Sequence, residues 1–187
     1  MRKNFGAKPW VYPQPVFIVA TYDKEDNPNA MNAAWGGIHD DDEIFICMGA
    51  NHKTSDNLEE RKAFTVSMGD VSHLVACDYV GIESGLKAPD KFKKAGFTAV
   101  KSEFVDAPII NELPMAFECE VLRYDRKACQ LVGKIKNVSI DERVLTSDDK
   151  VDVAKLAPII FDGVNHTYLQ LDEKPVGKAF HDGAKLK

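Results

Sequence analysis

The chain has 187 residues, 44% hydrophobic and 28% charged, with no low-complexity tract, which is enough for a single domain over residues 1–187 with a substantial core. Its formal net charge of −5 speaks against a nucleic-acid backbone or an anionic membrane as partner, because both require a basic face. The longest apolar runs, Val16–Ala20 and Ile44–Met48, are strand-sized, and no two cysteines have the spacing of a zinc site or a dithiol redox motif, so a cytoplasmic protein with free thiols is expected.

Val16–Tyr22 is rich in β-branched and aromatic residues and too short for a core helix, which predicts a buried strand. Asp23–Pro28 has the composition of a turn and returns the chain into a strand over Ala30–Ile38, within a stretch of small side chains from Asn29 to Gly37. Asp40–Glu43 is a second polar turn and Glu43–Met48 a third strand. A short helix is predicted over Thr54–Lys62, capped by Thr54 or Ser55, with Asp56, Glu59 and Glu60 early and Arg61 and Lys62 last, in the order the helix dipole favours. Ala63–Gly69 reads as a fourth strand. Ser72–Tyr79 and Pro89–Gly96 read as short helices, the second ended by its glycine. From Phe97 the pattern is β again, with Met115–Tyr124 and Ala128–Ile140 joined by a hairpin-like turn at Asp125–Lys127. Val151–Leu156 is a further short element, Tyr168–Leu171 a last strand, and Lys174–Lys187 a polar tail. Strands without regular crossover helices exclude a doubly wound parallel sheet and favour an antiparallel barrel with helical insertions.

The chemistry concentrates between Asn29 and Ser67. A helix start carrying Lys53, Thr54, Ser55 and Asn57 offers free backbone N–H groups, hydroxyls and one positive charge at a single point, the equipment for holding a phosphate. Lys53 acts there as a point charge and not as a bidentate fork. The small-residue strand beside it leaves room for a planar ring, with Trp35 as a border and Asn32 as a polar group that needs a partner. Together these features predict a phosphorylated aromatic cofactor. His39–Glu43 has no turn glycine or further oxygens for a cation and reads as a solvated turn. Neither a serine elbow nor a glycine-rich dinucleotide fingerprint is present.

Several segments, in order, resemble the flavin reductase-like, FMN-binding split-barrel family, and most closely its flavoredoxin type. They are Pro15-Val16, Asn27 to Gly37, Arg61 to Ser67, Asp78 to Gly85, Asp90 to Gly96, Asp106-Ala107-Pro108, Glu118-Cys119 and Gly177 to Phe180. The resemblance implies a mainly β fold with short helices: a six-stranded antiparallel split β-barrel that forms a homodimer with non-covalent FMN near the interface. It places Met31, Asn32, Ala33, Ala34 and Trp35 along the isoalloxazine. Ala50, Asn51, Lys53, Thr54, Ser55 and Asn57 fall on the phosphate and ribityl chain, and Lys91 beside the cofactor. The sequence departs from many relatives at His52-Lys53-Thr54, where an Arg is frequent. The implied activity is that of an FMN-dependent oxidoreductase passing electrons from NADH or NADPH to flavin or another acceptor. The alternative is a flavoredoxin-like carrier served by a protein electron donor. Such a protein needs no acid–base dyad, since the flavin carries the redox chemistry.

Overall fold

The computed structural model describes residues 1–186. Five strands open the chain: β1 (Gln14–Pro15), β2 (Phe17–Tyr22), β3 (Pro28–Ala33), β4 (Gly36–Asp40) and β5 (Glu43–Cys47). Helix α1 (Lys53–Arg61) leads into β6 (Ala63–Met68), followed by α2 (Leu74–Ile82) and the single turn α3 (Lys91–Lys94). Strands β7 (Ala99–Lys101) and β8 (Pro108–Ile110) precede the long hairpin of β9 (Met115–Asp125) and β10 (Gln130–Ile140). The fold closes with α4 (Val153–Leu156), β11 (Ile159–Asp162) and β12 (Thr167–Gln170).

Seven strands form one antiparallel sheet in the order β3-β2-β6-β9-β10-β5-β4. Its edge strands β3 and β4 are consecutive in the chain and separated only by Ala34 and Trp35, so the sheet has to curl until its edges meet at that corner. The curl is helped by irregular register in β10 at Val132/Gly133 and Ile135/Asn137, since bulges bend and twist a strand. The inner face encloses Phe17, Val19, Ile44, Ile46, Phe64 and Leu131 and is sealed by Leu58 of α1. The outer face carries Ile18, Ala20 and Ala30 under Val80 of α2, Phe92 of α3 and Ile159 of β11. Strand β2 is therefore covered on both faces, which is why its sequence is a continuous apolar run and not an alternating one.

The fold class is the one expected, a mainly β split barrel with short helices, although the described residues hold twelve strands in three sheets and not six. The expected strand over Ala30–Ile38 is two strands. Its first half pairs with β2 and its second with β5, on opposite edges of the sheet, and the Trp35 carbonyl accepts the Cys47 N–H at 2.7 Å where the chain turns. Helix α1 begins one residue earlier than expected. Its N-cap is His52, extended at φ −125° and without a side-chain cap, so Thr54 and Ser55 lie inside the helix and neither caps it. Helix α2 begins at Leu74 and not at Ser72, and the helix expected over Pro89–Gly96 is a single turn. No helix among the described residues is long and apolar enough to cross a membrane.

Candidate functional site

The start of α1 meets the end of α2 and the segment leading into α3 on top of β3. Asn29, Met31, Lys53, Thr54, Gly85 and Lys91 line a narrow recess of about 30 Å³ there. Asn29, Lys53 and Gly85 also line an adjoining cleft of about 780 Å³ whose far wall includes Phe92, Phe97 and Ala99.

Several polar side chains in and beside the recess are held by bonds to the fold. Thr54 is buried and its Oγ1 accepts from Asn29 Nδ2 at 2.8 Å, tying α1 to β3. Ser55 Oγ donates to the Gly49 carbonyl at 2.6 Å, and Asn57 Nδ2 donates to Thr21 Oγ1 at 2.9 Å. Arg126 donates from Nε and Nη2 to the Ala50 carbonyl, at 2.8 and 2.6 Å, and pairs with Asp56 and Glu59. The loop into α1 is thus fastened to the β9–β10 hairpin. Lys53 Nζ rests 3.2 Å from Asp23 Oδ2 and keeps a partly exposed side chain.

Lys91 is 3% exposed, and its Nζ donates to the carbonyls of Val80 and Glu83, both at 2.9 Å. It closes the C-terminus of α2, where carbonyls lack helical partners. Burial pushes the ammonium down to about 8, against the pull of Glu83. The His52 imidazole is lowered as well, by its own burial and then by the Lys91 charge. The recess is therefore a place where positive charge is under strain and an anion would relieve it.

The arrangement suits a phosphate. The N–H groups of Ser55 and Asp56 turn back to the His52 carbonyl, whereas those of Lys53 and Thr54, at the first two helical positions, have no carbonyl one turn earlier to bond. Lys53 and Lys91 add two ammonium groups, and Lys91 has one N–H beyond the two it spends on carbonyls. The floor is made by a glycine. A Cβ on Gly85 would sit 2.3 Å from Asn29 Oδ1 and 3.1 Å from Lys53 Cβ, so only glycine lets the chain pass this close to the recess.

The structure brings Met31, Lys53, Thr54 and Lys91 together in the recess. Ala34 and Trp35 lie instead in a separate open cleft of about 670 Å³, where Trp35 is 51% exposed. Asn32 finds protein partners, donating to the Cys77 carbonyl at 3.1 Å and the Tyr168 hydroxyl at 3.4 Å, and Ala33 packs on the inner core. Ala50 presents its carbonyl to Arg126, and Asn51 is exposed in the loop before α1. Sequence reasoning did not single out Asn29, His52, Gly85 or Arg126. The Ser84-Gly85 pair was the available signal for one of them; the others depend on contacts 25 to 76 positions apart.

The flavin reductase like domain family matches residues 10–159. The chain belongs to that family. Among solved structures it is similar to the flavoredoxin of Desulfovibrio vulgaris (Miyazaki F), 37% identical, with 98% of this chain and 100% of that one covered at a TM-score of 0.92. A flavoredoxin from Methanosarcina acetivorans is 22% identical over the full length of both chains at a TM-score of 0.89. An FMN-binding protein from Thermus thermophilus is 17% identical, covering 95% of this chain and all of that one at 0.75. The last two likenesses speak for the fold.

Proposed function

We propose that this protein binds FMN without a covalent bond and works as a redox protein, taking electrons from NADH or NADPH and passing them to flavin or another acceptor. The observation that carries this reading is the recess, where Lys53, Lys91 and the free first-turn N–H groups of α1 converge in a family of flavin reductase type. When bound, the flavin supplies a two-electron acceptor whose chemistry is its own. The chain's part is to hold and orient it. Lys53 and the N–H groups of residues 53 and 54 take the phosphate, Asn29 keeps Thr54 in place, and Lys91 sets a buried positive charge beside the cofactor. The homodimer is part of this reading, supported by α2 residues Val75 and Ile82, which are apolar yet 79% and 76% exposed.

A second reading has one specific observation in its favour, the likeness to a flavoredoxin at a TM-score of 0.92. In it the FMN exchanges electrons with a protein donor and turns over reduced nicotinamide negligibly. An absorption spectrum of the purified protein, followed by heat release and chromatography of the chromophore, tests what both share. Flavin bands with FMN released are expected, and a colourless protein that ignores added FMN would refute both. Anaerobic stopped-flow mixing with NADH or NADPH then separates them. Bleaching at catalytic rates supports the enzyme, and bleaching only by a reduced protein donor supports the carrier.

A further inference from the structure

We propose that the cleft beside the phosphate recess is a subsite for an adenosine phosphate, the adenylate half of FAD or of a reduced nicotinamide dinucleotide. The inference rests on the proposed phosphate site and extends it outward. The cleft has a volume of about 780 Å³, within the roughly 300–1,000 Å³ of small-molecule sites. It shares Asn29, Lys53 and Gly85 with the recess, so it begins where a phosphate in the recess would end. Met31, on the strand expected to run along the ring, lines the recess and not the cleft. The cleft therefore lies on the phosphate side of the site, beyond the point where FMN stops.

Three features define the occupant. The wall is apolar, formed by Leu86, Pro89 and Ala99 and backed by Phe92 and Phe97, whose buried rings meet edge to face at 5.7 Å. A rigid apolar wall suits a flat ring. Lys93 lines the same cleft, exposed and without a carboxylate in salt-bridge reach among the described residues. The two carboxylates of the cleft are already engaged, Asp23 by Lys53 and Asp90 by Lys94, both at 3.2 Å. Lys93 is thus a second positive charge, placed for a second phosphate. Asn29 is 6% exposed, its Nδ2 is spent on Thr54, and its Oδ1, facing Gly85, accepts no bond from the described residues. A buried acceptor without a partner calls for a donor, which a ribose hydroxyl or the adenine amine supplies.

A lone phosphate uses neither the wall nor Lys93. An uncharged aromatic molecule uses the wall and leaves Lys93 and Asn29 without partners. A phosphate followed by a sugar and a flat ring uses all three features, and that is the adenylate unit. FAD brings it joined to the flavin phosphate, and a reduced nicotinamide dinucleotide brings it as a separate molecule.

The test compares FMN, FAD and ADP-ribose on the full chain, the flavins by fluorescence titration of flavin-free protein and ADP-ribose by calorimetry with and without FMN bound. Two variants probe the cleft away from the recess. Lys93→Glu reverses the charge, and Thr98→Trp fills the cleft from a position whose side chain is exposed. Each should weaken the adenylate-bearing ligand at least about tenfold, the size of one charge-assisted contact, and leave FMN unchanged. A loss confined to FAD assigns the subsite to the flavin dinucleotide. A loss confined to ADP-ribose on the FMN-loaded protein assigns it to the nicotinamide dinucleotide. ADP-ribose that binds neither form, with FAD tracking FMN in every variant, would overturn the proposal while leaving FMN binding intact. ADP-ribose binding to a protein that takes no flavin would instead refute the proposed cofactor and keep the subsite, so the two failures are distinct.

Discussion

Lys53 and Thr54 are neighbours in the chain, yet their side chains do different work. The Lys53–Asp23 pair is partly open to water, and such pairs contribute about 0–1 kcal/mol. Lys53→Ala should therefore leave the apoprotein within about 1 kcal/mol of wild type while weakening FMN at least about tenfold, the loss of one charge-assisted contact. Thr54→Ala removes the acceptor of the buried Asn29 amide and should cost about 1–3 kcal/mol of stability. Its backbone N–H survives, so FMN affinity should fall less. Urea unfolding and FMN fluorescence titration read the two effects separately. Lys91 offers a pH test. Folded, its ammonium titrates at about 8, whereas the unfolded side chain keeps its proton to 10.5. Burying the charge is thus a cost fully present below pH 8 and relieved as pH rises toward 10.5. Relative to Lys91→Met, apoprotein stability should rise across that window, by at most about 3 kcal/mol at about 1.4 kcal/mol per unit. A difference that stays flat in urea unfolding at pH 7 and pH 10 would show that the two carbonyl contacts, and not burial of charge, govern Lys91.

At the scale of elements, the site depends on how closely the segment after α2 lies over β3. Gly85→Ala forces a methyl group to within 2.3 Å of Asn29 Oδ1, so either the segment lifts or β3 gives way. Overpacking of this kind costs about 1–3 kcal/mol, and FMN affinity should fall with it because Lys53 is displaced as well. Gly96→Ala is the control. Its φ of 81° makes alanine strained, but its Cβ would meet nothing within 4 Å, so stability should drop without a change in FMN affinity per folded molecule. Equal flavin loss in both variants would show that the recess responds to general destabilisation and not to this contact. The same scale explains what was legible in the residues. The apolar run of β2, the turn at Asp125–Lys127 and the charge order of α1 are local signals, and these elements came out near their expected bounds. The break at Ala34–Trp35 has no local signal, since small residues serve one long strand as well as a corner. The strands β1, β7, β8 and β11 are two to four residues long, too short for a period to register.

For the whole molecule, a ligand that binds only the folded state must stabilise it. FMN at about a hundredfold excess over its Kd should add about 2.7 kcal/mol, which for a domain of this size raises Tm by roughly 5–10 °C. Calorimetric scans across an FMN series check this, and a Tm that stays unmoved would contradict the proposed cofactor. Cooperativity between barrel and site is expected, because α1 both seals the inner core with Leu58 and offers its first turn to the recess.

Composition and short-range periodicity set the chemical types and the local elements. A mainly β chain, a polar helix start with Lys53 and Thr54, and a small-residue strand before it all follow from side-chain composition and periodicity over a few residues. Which of the candidate residues meet is a matter of the folded chain. It brought Lys91 to the start of α1, sent Asn32 to Cys77 and Tyr168, and put Ala34 and Trp35 in another cleft. It also brought in Asn29, Gly85 and Arg126. The physical reason is that side chains on adjacent positions of a strand point to opposite faces, and the curl of the sheet determines what each face meets. That curl is set by pairings between residues far apart in the chain, such as Gln130 with Cys47, which no local window contains.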